Sequence, residues 1–109
     1  MKGKIVLIPF PFTDLSFAKL RPALIIHEGK RDVIVAFISS RIPDEISKTE
    51  VLITSRHPSF RRTGLKTSSI IKLDKIATVL KEFIVGELGE IDENLRKEIN
   101  ERLAMIFRI

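Results

Sequence analysis

The chain contains no cysteine, no tryptophan and no tyrosine. Without cysteine it has neither disulfides nor thiolate metal sites, which fits a reducing cytosol. Two histidines, His27 and His57, are too few for a histidine-rich metal site or for paired-histidine catalysis. No apolar run reaches the roughly 18 residues that span a bilayer. The longest, Ile5 to Phe12, is broken by Pro9 and Pro11, and no small-residue cleavage site follows it, which makes it a poor signal peptide. Membrane-spanning and disulfide-stapled classes are therefore set aside. At 109 residues, 44% of them hydrophobic and 30% charged, the chain reads as one ordinary globular domain, 1–109, with one modest core.

Acid is also missing from one particular place. Residues 1–50 carry eight Lys/Arg against six Asp/Glu, and residues 74–109 carry six against eight. Between them, Val51–Leu73 holds Arg56, Arg61, Arg62, Lys66 and Lys72 with no acid at all, so the formal excess of +5 sits in this one segment. Such a patch is either a solvated basic loop or the footprint of a phosphate-rich partner.

Short β-branched and apolar runs predict strands at Lys4–Pro9, Pro22–His27, Asp32–Ser40 and Thr49–Thr54, with two further short strands, Ser69–Leu73 and Lys75–Val79, around Asp74. Pro11 to Lys19 reads as a loop with Thr13, Asp14 and Ser16 as turn formers, and Glu28-Gly29-Lys30 as a hairpin turn. Arg41–Lys48 is a polar connection, and His57 to Gly64 a basic loop. After Gly86 and Gly89 the period changes. Ile91, Leu95, Ile99, Leu103 and Ile106 recur at helical spacing, with Asp92 as N-cap and Glu93 in the first turn. Mainly β with a C-terminal helix, the pattern predicts a small, strongly bent barrel with the helix packed on it. Ile5-Val6-Leu7-Ile8 and Ala23-Leu24-Ile25-Ile26 are apolar on both faces. Either the barrel interior and the helix take one face each, or a second subunit does, and a homodimer is expected.

Arg21 poses the sharpest local question. It opens the apolar strand "RPALII", and it is either a rim residue or a positioned cation waiting for an anion. Pro22 fixes its own φ and biases Arg21 toward extended conformations, so the cation stands on a stiff strand end.

The segments "GKIVLIPFPFTDLS", "KLRPALII", "VIVAFISS", "GLKTSSIIKLDKIATV" and "GELGEIDENLRKEINERL", in that order, resemble the MazF/PemK family, toxins of type II toxin–antitoxin pairs. The resemblance spans nearly the whole chain. It implies an SH3-like barrel homodimer in the cytoplasm that cleaves single-stranded RNA at short sequences without a metal or other cofactor, silenced by a cognate antitoxin with an acidic tail. Cleavage without metal uses the substrate's 2′-hydroxyl as nucleophile, so the protein must neutralise charge on the phosphoryl oxygens and manage two proton transfers.

On this resemblance Arg21 is the first catalytic candidate, its planar fork matching two phosphate oxygens. Ser39, at the end of the apolar run Val33–Ile38, is the second. Strand alternation sends only one of Ser39 and Ser40 to the substrate side. Lys72 and Asp74, two apart on a strand, match places where some family members have a proposed acid and base, and otherwise form an exposed ion pair. Ser69 is a phosphate-contact candidate. Phe10 and Phe12 flank the prolines at the loop mouth, and Phe60 lies among Arg56, Arg61 and Arg62. These aromatics are candidates for stacking on splayed bases, with the three arginines and Lys19 holding phosphates. The gyrase-poisoning CcdB toxins share the fold and act on another target, and a dead barrel that only binds RNA or antitoxin is a third reading. The chain ends Phe107-Arg108-Ile109 and has no tryptophan, which counts against the gyrase-poison reading.

Overall fold

The computed structural model describes residues 1–10 and 19–109. The predicted loop residues Thr13, Asp14 and Ser16, and the stacking candidate Phe12, lie outside the described residues. Six strands, β1 (Lys4–Phe10), β2 (Lys19–Glu28), β3 (Asp32–Ser39), β4 (Glu50–Ile53), β5 (Ser69–Leu80) and β6 (Gly86–Glu90), form one sheet. Its order is β4-β5-β3-β2-β1-β6 and every neighbouring pair is antiparallel. A short helix α1 (Phe60–Thr63) precedes β5, and the terminal helix α2 (Glu93–Ile106) follows β6. The mostly β barrel-like sheet with one C-terminal helix is thus the architecture expected from the apolar runs.

Three details differ from the strand pattern read in the sequence. The two short strands around Asp74 are one 12-residue strand, β5, whose pairing with β3 slips: Ala36 faces Ile76, but the next residue, Phe37, faces Lys72. Asp74 sits in the slipped stretch, which bends the strand and lets it continue in a new direction. The segment His57–Gly64 is not all loop, because Phe60–Thr63 closes one helical turn capped by Gly64 in the left-handed region. Gly86–Glu90, to which the sequence pattern assigns no element, is the edge strand β6.

The pleat divides the apolar residues between two clusters. Ile5, Leu24, Ala36, Ile38, Ile71 and Leu73 point to one side, where Ile91, Leu95 and Ile99 of the α2 region cover them and half-buried Leu103 and Ile106 pack alongside. Val6, Ile8, Ala23, Ile25, Val33 and Val35 point to the other, joined by Val79 with Phe37, Ala77 and Ile84. Both faces of β1, β2 and β3 are therefore buried within one chain. The two-faced strands do not by themselves require a second subunit. They are the alternation of period two, with each face finding its own cover.

Both sheet edges are guarded. The Arg102 guanidinium donates to the carbonyl oxygens of Lys48 and Glu50 at 3.0 and 3.1 Å, at the start of the β4 edge. Chain pairing at an open edge is suppressed when its groups are occupied. At the other edge α1 packs on β6. There Ser59 donates its hydroxyl to the Asp92 carboxylate, whose second oxygen accepts from the Leu95 N–H at 2.9 Å as the N-cap of α2. These two bonds, the backbone one foremost, hold the Asp92 carboxyl below its usual range. Lys4 spans from β1 to Glu87 and Glu90 of β6 at 3.2 and 3.5 Å.

Glu28 at the end of β2 accepts from Lys81 at 2.7 Å and from the N-terminal amino group at 2.6 Å. The Lys81 bond, then the amino group, lowers its carboxyl from 4.5 to about 2. A carboxyl depressed on folding stabilises the fold above its unfolded value and loses that contribution as the pH falls through the folded one. Urea unfolding midpoints should therefore fall between pH 4.5 and about 2, and Glu28→Gln should lessen that fall. Parallel acid limbs in variant and wild type would remove Glu28 from the account.

Candidate functional site

The outer face of the sheet, at the end where β2 begins and β3 finishes, gathers most of the candidate residues. The register explains why. Arg21 lies opposite Ile8 and Lys19 opposite Phe10, Ala23 opposite Phe37, and Phe37 opposite Lys72. Residues directly opposite share a face, as do residues two apart. Lys19, Arg21, Phe37, Ser39 and Lys72 consequently project to the same side as Val6 and Ile8. Arg21 is exposed, with its guanidinium carbon 5.7 Å from the centroid of the Phe10 ring. Phe10 in turn lies 5.1 Å from Phe37, the rings inclined at 58°. A tilted aromatic pair is a firm base, and a guanidinium over its face is held by the ring quadrupole without losing its donors. Among the described residues no carboxylate pairs with Arg21.

Ser39 is two residues beyond Phe37 on this face. Its hydroxyl oxygen accepts from the Arg41 N–H at 3.1 Å, which leaves its O–H proton to donate outward. Ser40 points to the opposite side, as alternation requires. Arg41 and Lys72 line a small cavity of about 190 Å³ with Ile70 and Glu50. Arg41 thus flanks the candidate face, although the local pattern places it in a polar connection. The signal was present: Arg41 directly follows the Ser39-Ser40 pair that closes β3.

Asp74 does not join Lys72. It is exposed and pairs with Lys75 at 3.3 Å, so the alternative ion pair between Lys72 and Asp74 is absent among the described contacts. Ser69 lies on the inner side with Ile71 and Leu73. It is 3% exposed and donates its hydroxyl to the Thr67 carbonyl at 2.9 Å.

On that inner side, at the open end of the core, there is a cavity of about 340 Å³. Its walls are Leu7, Leu20, Pro22, Leu65 and Leu88, and Ser40 and Lys66 stand at its rim. The sheet end thus carries two adjoining features, a cationic aromatic face outside and an apolar cavity inside.

Residues 1–107 match the family model described as the PemK-like, MazF-like toxin of type II toxin–antitoxin systems. The chain belongs to that family. In fold it is similar to the Mycobacterium tuberculosis toxin MazF-mt6, with a TM-score of 0.74 and 19% identity over 95% of each chain. It is also similar to an endoribonuclease of a Mycobacterial species in complex with its cognate antitoxin, with a TM-score of 0.72 and 18% identity over 96% of this chain and 91% of that one. A third likeness is to the MazE–MazF crystal structure (Form-II) of Deinococcus radiodurans, with a TM-score of 0.72 and 16% identity over 99% of this chain and 94% of that one. No curated protein sequence matches the chain.

In this MazF/PemK family member the basic segment is distributed over several surfaces. Arg56 is exposed on the turn after β4, and Arg61 is exposed on α1. Arg62 reaches Glu90 of β6 at 3.1 Å, which partly neutralises it. Phe60 is half-buried and packs against the inner core. Part of its ring is thus committed to packing α1 on the barrel, and only the exposed remainder is left for the stacking role expected from its charged neighbours. This partial burial follows from its place at the start of the helical turn Phe60–Thr63. No helix among the described residues is long and apolar enough to cross a membrane.

Proposed function

We propose that the protein is an endoribonuclease that cuts single-stranded RNA in the cytoplasm, through the substrate's own 2′-hydroxyl, as the effector half of a toxin–antitoxin pair. The observation that carries this reading is the convergence of Arg21, Ser39 and Lys72 on one face, over a Phe10–Phe37 platform. In the reaction the 2′-oxygen bonds to the adjacent phosphorus and the bond from phosphorus to the 5′-oxygen breaks. The products are a 2′,3′-cyclic phosphate and a 5′-hydroxyl end. The attacking hydroxyl gives up one proton and the leaving oxygen takes one.

Arg21 grips two non-bridging oxygens, where negative charge builds as the phosphorus becomes five-coordinate. Ser39 donates its O–H to a phosphoryl oxygen. Lys72, with protons to give and a position between Phe37 and β4, serves the leaving oxygen. Lys19 and Arg41 flank this centre and hold neighbouring phosphates, and Arg56 and Arg61 extend the attraction at longer range.

A cognate antitoxin would quench this face with an acidic tail, carboxylates standing where phosphates stand. The relatives with bound antitoxin make such a partner the natural regulator, and a homodimer would place two such faces on one particle. Purified protein should cut single-stranded RNA in the presence of EDTA, leave DNA of the same sequence intact, and fail on RNA carrying a 2′-deoxy sugar at the cleaved position. A peptide of the antitoxin tail should compete, less strongly as salt screens both ligands. A strict need for magnesium, or equal cutting of DNA, would sink the mechanism. Simultaneous binding of RNA and tail at full affinity would sink the regulatory part.

A further inference from the structure

The 340 Å³ cavity at the open end of the inner core has no part in the chemistry above, yet it is one residue from it. Leu20 and Pro22 form part of its wall, and Arg21 between them points to the other face. Ser40 stands at its rim while Ser39 faces the cationic side. The strand ends of β2 and β3 therefore present phosphate-binding chemistry outward and an apolar slot inward, with roots about 3.8 Å apart along the backbone. We infer that this cavity holds a nucleobase of the RNA substrate, at a position flanking the cleaved bond, and so contributes to sequence selection. The inference rests on the endoribonuclease reading and goes beyond it.

Size, lining and exposure argue for a base. The volume falls within the range of about 300–1,000 Å³ typical of small-ligand sites, and barrel mouths are a preferred place for them. Leu20 is 49% exposed, a large apolar side chain held in the open at a strand start. A flat, apolar-faced ring would cover it. Leu65 and Leu88 provide the opposing wall. The rim is polar: the Ser40 hydroxyl and the Lys66 ammonium can donate to the edge of a base, and Lys66 also meets its phosphate. Single-stranded RNA is read in this way, by splaying one base out of the strand into a slot with apolar faces and a polar edge. A strand crossing the sheet end would leave one phosphate against Arg21 and turn the neighbouring base over the edge into the cavity.

The test compares wild type with Thr67→Trp, which fills the cavity mouth from an exposed position, on single-stranded RNA randomised around the cleaved bond. kcat and KM are read separately, with the base preference at every position. KM should rise roughly ten- to a hundredfold, the scale of losing one base contact, and the preference at one flanking position should flatten while kcat at saturation is kept. Arg21→Ala should do the reverse, lowering kcat with the preference intact. An unchanged preference at every position in folded Thr67→Trp overturns the base slot and leaves the cleavage reading standing. If wild type cuts no RNA, the cleavage reading fails. The slot is then judged by binding of 2′-O-methyl RNA, where Thr67→Trp must lose base discrimination or the inference falls. Should Thr67→Trp not fold, the double variant Ser40→Ala, Lys66→Ala serves the same comparison. Loss of tail-peptide binding with RNA preference intact would assign the cavity to an antitoxin side chain and overturn the base reading.

Discussion

Replacing Arg21 with alanine is expected to slow RNA cleavage by about a hundredfold or more, the scale of removing one preorganised stabiliser of transition-state charge. The loss should appear in the single-turnover rate and leave KM largely unchanged, because the guanidinium is worth most when the phosphorus carries its extra charge. Thermal unfolding should hardly move. Arg21 is exposed at the start of β2, and its one described partner is the Phe10 ring at 5.7 Å, a contact worth about 0.5–1 kcal/mol at an exposed site. Arg21→Lys should restore only part of the rate, since an ammonium keeps the charge and loses the planar two-point grip. Phe10→Leu should fall between the two, removing the platform and keeping the cation. A rate for Arg21→Ala close to wild type, measured on protein with unchanged unfolding, would make Arg21 a rim residue and withdraw the catalytic reading from this face.

The family resemblance points to Arg21 and Ser39, and a local rule says which side of the sheet each candidate takes. Arg21, Ser39 and Lys72 sit on regular strands, and period-two alternation fixes which way each points once the neighbouring apolar residues have chosen the core. The same rule puts Ser39 and Ser40 on opposite sides, but only the register of β3 with its neighbours shows that Ser39 shares the face of Phe37 and Arg21. What escaped the sequence was set by tertiary contacts. Gly86–Glu90, with two glycines and two glutamates in five residues, has poor strand propensity and forms β6 because β1 offers it a partner. The slip that bends β5 at Asp74 depends on β3, so it leaves no mark in the local pattern except a charge pair between apolar runs. Phe60 looked solvated among arginines because its burial depends on α1, a single turn that no periodicity can announce. The inner cavity was least legible of all. Leu7, Leu20, Leu65 and Leu88 come from four separate segments, and each alone resembles an ordinary core leucine.

The contact between α1 and β6 makes the other strong expectation. Gly89 and Gly64 bring two backbones together: a Cβ on Gly89 would collide with the carbonyls of Arg62 and Thr63, and one on Gly64 with the carbonyl of Leu88. These are backbone atoms, which cannot rotate away as a side chain can. Gly64 also has a φ of 72°, where any L side chain adds about 1–2 kcal/mol. Gly89→Ala should therefore lower stability by about 2–3 kcal/mol through overpacking, and Gly64→Ala by more, as both costs add. In a domain of this size that corresponds to a fall in Tm of roughly 10–20 °C for Gly89→Ala. Gly86, in the same strand, is the internal control: a Cβ there meets nothing within 4 Å, so Gly86→Ala should be neutral or slightly stabilising through the unfolded chain. The damage should also reach the cavity, because Gly64 and Leu65 continue from α1 into its wall. RNA base preference in Gly89→Ala, assayed below its Tm, should weaken while the Arg21-dependent rate survives. Calorimetry of the three variants decides the matter. If Gly89→Ala melts with Gly86→Ala, the backbones of α1 and β6 are not locked together, and the wall of the cavity is not held by that contact.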